Sequence, residues 1–378
     1  MRVIFVTHNY PRTEGDPAGG FLRPLAIAIR ERGHDVRVVA PSDQGKGGTD
    51  RLDGIEVTRV RYGSPTRERY AYTGRMQDAL RSPGGWVALL RMIRGLKAGA
   101  RAAADGASEA VVHAHWWFPA GVAAPSELPT VITLHGTDAA LLERPLAPFV
   151  ARAAFRRGRV VTAVSHHVAG AVFRASGITI DRGHTLPMPV VMSRSASTGG
   201  GGLVFVGRLT AQKRVDLALE AHALLARRRP GLAFTIVGDG PERPALERRA
   251  AELGTGLVRF VGQVAPEQVP EALGSADLFV FPARREGLGL ATIEALAAGI
   301  PVVVCRDGGG VLDVMEEPGA GVVVEPNAGA LESGIERLLG DPYARDTAAA
   351  AGRAWLERLS PATVAARCEE WYREAARG

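Results

Sequence analysis

A chain of 378 residues is too long for one ordinary core and suits two domains, each able to bury most of its apolar surface. Apolar residues make up 46% and charged residues 23%, and no run of eighteen uncharged apolar residues occurs, which excludes a membrane-spanning helix. The 46 Lys and Arg against 40 Asp and Glu give a net charge of +6, so phosphate-bearing ligands and anionic surfaces are permitted partners. Met1 to Tyr10 has one arginine and a short apolar run before Thr7, too little for a signal-peptide core, and a cytoplasmic protein is expected. Cys305 and Cys368 stand far apart in unrelated contexts, which fits a reducing compartment and gives no metal spacing.

Along the first half, short β-branched runs at Val3 to Val6, Val36 to Val39, Ile55 to Val60, Val111 to Ala114, Val131 to Leu134 and Val160 to Val164 alternate with helical patterns. That alternation predicts a doubly wound parallel sheet, with ligands at the carboxyl ends of its strands. The first strand leads into a Gly- and Pro-rich loop, Pro11 to Gly20, and then a helix from about Phe21 to Arg32. From Trp86 to Arg101, the apolar residues Trp86, Leu89, Leu90, Ile93 and Leu96 interleave with Arg91, Arg94, Lys97 and Arg101. This basic amphipathic helix either packs on its own sheet with a solvated charged face or binds an anionic membrane surface at the inner face of the cell membrane. Nucleic acid is not an expected partner, because only this segment joins basic and aromatic side chains.

The pattern stops at Ser193 to Gly202, small and polar, which is read as the linker between a first domain at 1–192 and a second at 203–360. The second domain repeats the alternation, with strands at Leu203 to Val206, Phe234 to Val237, Val258 to Val261, Leu278 to Phe281, Val302 to Cys305 and Gly321 to Val324. The tail from Pro361 has a helical pattern, and residues 361–378 either dock on their own domain or cross back to the first.

Three strand ends of the second half carry the chemistry. Leu203 to Val206 runs into Gly207-Arg-Leu-Thr-Ala-Gln-Lys213 and then a helix, which puts Arg208 and Lys213 where a guanidinium and an ammonium can hold a diphosphate. Phe234 to Val237 leads into the tight turn Gly238-Asp239-Gly240-Pro241, whose glycines let a ligand approach the backbone, and Arg243 beyond it stands where a dinucleotide fingerprint has its third glycine. Leu278 to Phe281 precedes Glu286-Gly-Leu-Gly-Leu-Ala-Thr-Ile-Glu294, a loop running into a helix that starts near Gly289 or Leu290. The first amides of that helix can bind a phosphate, and the two carboxylates can accept hydrogen bonds from sugar hydroxyls. In the first half, His113 and His115 alternate on one strand without a third metal ligand; a buried His113 and an edge-lying His115 are expected. Trp116 either stacks on an acceptor sugar or belongs to the core, and Asp138 either binds an acceptor hydroxyl or caps the following helix.

Taken together and in this order, GRLTAQK, GDGP, FVGQV and EGLGLATIEALAAGIPVV resemble the donor domain of retaining glycosyltransferases of family 4, with the GT-B fold. The Gly19-Gly20 loop, His113-Ala-His-Trp-Trp-Phe-Pro119 and Thr133-Leu-His-Gly-Thr-Asp138 resemble that family's acceptor domain. The resemblance implies two Rossmann-like domains facing across a deep cleft and metal-independent transfer of a hexose-type sugar from a UDP- or GDP-sugar. The acceptor hydroxyl would belong to a glycan, a lipid-linked sugar or a small molecule, and no cofactor is implied. By the same resemblance Arg208 and Lys213 stabilise the leaving diphosphate, Glu286 holds donor-sugar hydroxyls and Glu294 the ribose. Gln263 and Val264 lie near the base, His135 contacts the donor sugar, and Gly19 and Gly20 approach its phosphates. Gly207, Asp239, Gly289 and Leu290 complete the donor set, and His115, Trp116 and Asp138 the acceptor side. Leu288, in place of an aromatic residue, and Arg214, in place of a glycine, depart from the pattern. A sugar-nucleotide epimerase or hydrolase of the same fold, or a non-catalytic sugar-nucleotide sensor, remains the alternative.

Overall fold

The computed structural model describes the chain except at residues 17, 73–75, 145, 158–159, 191–197, 255–256, 266–267, 316–318 and 378. It divides into two compact units, residues 1–189 with 361–378, and residues 190–360.

The first unit runs β1 (Arg2–Val6), α1 (Leu22–Glu31), β2 (Asp35–Pro41), β3 (Gly48–Leu52), β4 (Ile55–Val60), α2 (Pro83–Ala104), β5 (Ala110–His115), β6 (Thr130–Leu134), α3 (Gly136–Leu142), α4 (Ala147–Arg157), β7 (Val160–Ala163) and α5 (His166–Ser176). Its sheet has the order β3-β4-β2-β1-β5-β6-β7, parallel except for β3, which pairs antiparallel with β4. Val3 to Val6 are wholly buried because helices cover both faces, which is why the parallel strands read as unbroken apolar runs. β3, Gly-Thr-Asp-Arg-Leu, is exposed from Gly48 to Arg51 and carries no apolar alternation to betray it.

The second unit runs β8 (Leu203–Val206), α6 (Val215–Ala226), β9 (Phe234–Val237), α7 (Arg243–Glu252), β10 (Val258–Gly262), α8 (Val269–Leu273), β11 (Leu278–Phe281), α9 (Leu290–Ala297), β12 (Val302–Cys305), α10 (Val311–Val314), β13 (Gly321–Val324), α11 (Ala328–Gly340) and α12 (Pro342–Leu356). The all-parallel sheet is ordered β10-β9-β8-β11-β12-β13. Counted from the first strand of each unit, both parallel sheets follow the order 3-2-1-4-5-6, and the winding reverses beside the first strand.

The last helix, α13 (Pro361–Arg377), belongs to the first unit, where it packs on α1. Glu369 receives the Arg32 guanidinium through two 2.8 Å hydrogen bonds and lies 2.9 Å from His34 Nε2. Arg32, followed by His34, holds its carboxyl down to about 2. The Tyr372 hydroxyl lies 2.8 Å from His113 Nδ1. Val364, Trp371 and Tyr372 are buried beneath this helix, each contributing about 2 kcal/mol of apolar burial.

The predicted linker needs correction. Residues 193–197 lie outside the described residues, and 198–202 are not a free tether but the lead-in to β8. The Gly200 and Gly202 amides donate to the two oxygens of Asp277, at 2.8 and 2.9 Å, and the Gly201 amide to Ser275 O at 2.7 Å. A side chain at Gly201 would stand 2.5 Å from that carbonyl, so glycine here serves close packing rather than flexibility. Cys305 and Cys368 are buried and free, and burial pushes their thiols up to about 11 and about 12. Among the described residues no helix is long and apolar enough to cross a membrane.

Candidate active site

In the second unit the reversal of winding falls between β8 and β11, and the two strands deliver Lys213 and Glu286 to each other. The Lys213 ammonium lies 2.8 Å from Glu286 Oε1, both side chains largely withdrawn from solvent, and 4.8 Å from the centre of the Phe281 ring. Gln212 Nε2 donates to the same oxygen at 2.9 Å, a partner that sequence reading passed over although it lies inside the GRLTAQK run. An ammonium has three donors; one is spent on Glu286, leaving two for a ligand. Arg208, on the same loop, is exposed and has no ion-pair partner among the described residues.

The two turns beside this pair interlock. The Leu209 amide donates to Asp239 O at 2.9 Å, and the Glu242 amide to Leu209 O at 3.1 Å. Gly238 has φ +135°, and a Cβ there would stand 2.0 Å from Gly207 O; one at Gly240 would stand 2.2 Å from Leu209 O. These close approaches, not a pyrophosphate, account for the glycines of GDGP. The Asp239 carboxylate is engaged locally, by the Gly240 amide at 2.6 Å and Arg243 at 3.1 Å. Next along the sheet, Gln263 is exposed and Val264 half-buried just past β10, tied to the same turns because the Gly238 amide donates to Gly262 O.

Glu286 is clamped by a second loop that sequence reading missed. Its amide donates to Gly308 O at 2.9 Å, and its carbonyl accepts from the Gly310 amide at 2.7 Å. Gly309, at φ +74°, presses so closely that a Cβ would come within 2.7 Å of Glu286 O. Three consecutive glycines, two residues after the apolar run Val302 to Cys305, were the available signal. Arg214, the departure at the start of α6, takes the left-handed φ of +48° and donates to Pro282 O and to Asp307, which pins this loop as well. Leu288 is buried in the core.

α9 begins after Gly289, whose φ of +76° turns the chain and whose missing side chain leaves room for Val311. The Thr292 and Ile293 amides donate to Gly289 O, which leaves those of Leu290 and Ala291 pointing out of the helix's amino end. Glu294 lies a turn further on. Its side chain keeps contact with solvent, yet the protein around it displaces enough water to push its carboxyl up to about 7.

In the first unit the reversal of winding lies between β1 and β5, and the candidate residues gather there. Gly19, at φ +70°, lies so near Asn9 O that a Cβ would stand 2.2 Å away, and its carbonyl and that of Gly20 accept the first amides of α1. His135 follows β6 and is 6% exposed, with Nε2 3.3 Å from His115 Nδ1. His115 is not edge-lying as expected. It is wholly buried, stacked on His113 at 4.2 Å, because β5 is an inner strand covered on both faces. Burial lowers the pKa of both His113 and His135 to about 3, so these imidazoles are neutral. Trp116 is not an open stacking platform either. Its ring is packed by His8 at 4.4 Å and His135 at 4.3 Å, and its indole N–H donates to Thr137 Oγ1 at 2.9 Å. Its φ of +69° is costly for a bulky residue, about 1–3 kcal/mol, and is held by the bond from its amide to Thr133 O. The Asp138 side chain lies outside the described residues. Among the described residues no three His, Cys, Asp or Glu side chains converge as a metal site.

Two doubly wound units, each with its glycine turns and charged or aromatic residues at the point where the winding reverses, define a GT-B glycosyltransferase fold. The model described as glycosyl transferases group 1 matches residues 196–355, and that described as Glycosyltransferase Family 4 matches residues 20–194. Between them they take in most of the chain, which belongs to this glycosyltransferase family. A "GDP-mannose-dependent alpha-(1-6)-phosphatidylinositol monomannoside mannosyltransferase" of Mycolicibacterium smegmatis is 30% identical over 246 residues, 60% of this chain. The match spans 64% of that relative, a little under two thirds of its length. A glycogen synthase of Mycobacterium tuberculosis is 28% identical over 100% of this chain and 96% of its own. Among solved structures, "Trehalose-6-phosphate from E. coli bound with UDP-2-fluoro glucose" has the same fold, with a TM-score of 0.75 at 11% identity, covering 98% of this chain and 99% of that one.

Proposed function

We propose that the protein transfers a hexose-type sugar from a nucleoside-diphosphate sugar, with UDP or GDP as the carrier, to an acceptor hydroxyl. The observation that carries the reading is the Lys213–Glu286 pair at the reversal of winding, with Arg208 unpaired on the same loop. In this reading Arg208 and the two remaining donors of Lys213 meet the charge that grows on the leaving diphosphate, while Glu286, already oriented by Lys213 and Gln212, accepts from sugar hydroxyls. A carboxylate held by an ammonium at 2.8 Å is a weakened nucleophile, which favours attack by the acceptor hydroxyl on the face the diphosphate leaves, with retention at the anomeric carbon. The GDP-mannose dependence of one relative and the UDP-2-fluoro glucose bound to a protein of the same fold support a nucleotide-sugar donor, and the relative's phosphatidylinositol monomannoside supports a sugar-bearing acceptor. The buried thiols suit a reducing compartment, and we assign the reaction to the cytoplasm.

The test is release of nucleoside diphosphate from a panel of UDP- and GDP-sugars with glycan and lipid-linked acceptors. Release from one donor, stimulated by acceptor, is expected; release without acceptor identifies a hydrolase, and binding without turnover a sensor. Activity is expected to persist in EDTA, since Arg208 and Lys213 supply the positive charge, and the product's anomeric proton coupling should match the donor's. Loss of turnover in EDTA, restored by a divalent cation, would remove the metal-independent mechanism.

Glu294 gives the reading a pH signature. Its ionised carboxylate accepts from ribose hydroxyls more strongly than the neutral acid does, so with a carboxyl near 7 the donor should bind more weakly at pH 6 than at pH 8, by up to about tenfold. In Glu294→Gln the dependence should flatten. Calorimetric titration of nucleoside diphosphate across this range checks it, and an equal slope in both proteins would take Glu294 out of the binding site.

A further inference from the structure

His115 is wholly buried, and its two ring nitrogens are unequally served. Nδ1 lies 3.3 Å from His135 Nε2, whereas Nε2 has no hydrogen-bond partner among the described residues. The ring is not free to turn away from this arrangement. It is stacked on His113 at 4.2 Å and meets Phe5 at 4.8 Å. His113 is itself held at both nitrogens, with Nδ1 2.8 Å from the Tyr372 hydroxyl of α13 and Nε2 2.7 Å from Thr133 Oγ1.

Burial lowers the pKa of His135 to about 3 and that of His115 well below the ordinary imidazole value, so each ring carries one proton. The 3.3 Å contact is then one N–H donating to one lone pair, and two arrangements satisfy it. If His135 donates from Nε2, the His115 proton must sit on Nε2, buried and without an acceptor. If His115 donates from Nδ1, its Nε2 is only a bare lone pair. Orphaned buried N–H groups are the rarer of the two in folded proteins, so His115 is the donor and His135 carries its own proton on Nδ1.

Packing alone does not orient His135. Its ring lies against Trp116 at 4.3 Å and Phe21 at 5.3 Å, contacts that hold its plane. A half turn about Cβ–Cγ would fit the same slot and put carbon where Nε2 now lies, and the bond from His115 is what separates the two orientations. We infer that His115 is the positioning residue of His135: by donating from Nδ1 to His135 Nε2 it keeps that ring in one orientation with its proton on Nδ1. Resting on the sugar transfer proposed above, His135 then meets the donor sugar as a neutral ring of fixed polarity, and His115 acts through it and not on an acceptor.

The experiment is a long-range proton–nitrogen correlation spectrum of the full chain carrying isotopically labelled histidine, recorded without substrate, since the ring nitrogen shifts report which nitrogen is protonated. The chain has 9 histidines, and the signals missing from His135→Gln and from His115→Asn assign these two rings. Protonation at Nδ1 is expected for both. In His115→Phe, which keeps a ring and removes the donor, His135 should move towards the Nε2–H form. Its kcat should fall by about tenfold to a hundredfold, the scale of losing the partner that orients a working imidazole, with nucleoside diphosphate binding unchanged. His115→Asn, whose amide can donate from the place of Nδ1, should restore the His135 tautomer and part of the rate. A merely structural role would lower the thermal midpoint and leave the tautomer alone. His135 protonated on Nε2 in the parent chain overturns the inference, and so does a tautomer or a kcat that His115→Phe leaves unchanged. Should His115→Phe not fold, the parent spectrum and His115→Asn still decide. The tautomer is read without turnover, so a chain that transfers no sugar fails the function proposed above, while the hydrogen bond stands or falls on the spectrum.

Discussion

Lys213→Ala is expected to lower turnover of the nucleotide-sugar donor by about 10²- to 10³-fold, the usual cost of removing one group that meets charge in the transition state. The loss should appear mainly in kcat, since the charge it answers develops as the diphosphate leaves. Of the two side chains that hold the Glu286 carboxylate, the substitution leaves Gln212, so an uncompensated negative charge then stands near the leaving phosphate. Adding Glu286→Gln to Lys213→Ala should therefore recover part of the lost rate, and the two single effects should not add. Steady-state release of nucleoside diphosphate for the four proteins of this cycle is the measurement. A Lys213→Ala enzyme within threefold of the parent would take the lysine out of the reaction.

Gly238→Ala is expected to act on stability first and on the ligand second. Its φ of +135° belongs to a region that is essentially glycine's own, and the added carbon would meet Gly207 O at 2.0 Å. Either the turn or the end of β8 must move, at a cost of about 3 kcal/mol or more. Since Gly207 precedes Arg208, whatever relieves the clash also displaces the cation. Chemical denaturation should show the second unit's transition moving to lower denaturant, with nucleoside diphosphate affinity falling by at least about tenfold in the protein that remains folded. A transition unchanged within error would mean that the turn is looser than its packing indicates.

Much of this was legible in the sequence because parallel strands covered on both faces appear as bare apolar runs, and the runs ending at Val6, Val206, Val237 and Phe281 end there in the structure. β3 was not legible, since an exposed edge strand has no burial pattern to display. Lys213 and Glu286 could be picked out because each lies in the loop that follows such a run. That they touch, and that Gln212 joins them, depends on sheet order, which local pattern does not encode. Spacing likewise showed that His113 and His115 face the same side of a strand; only the neighbouring strands and Tyr372 decide that this side is buried. That the GDGP glycines pack against the protein's own backbone at Gly207 and Leu209 depends on how neighbouring turns meet, which the turn's own sequence does not display.

Because α13 follows the second unit in the chain yet packs on the first, the two units cannot mature in the order in which they are written. While the ribosome is still synthesising residues 190–360, the face of β5 that carries His113 and the Arg32–His34 corner lack their cover. The second unit has all its own strands and helices by Ser360, so it can close during synthesis, whereas the first must wait for Glu369 and Tyr372 to emerge. The earlier-made half is then the one that finishes last, and in the interval its exposed apolar surface is what chaperones would encounter.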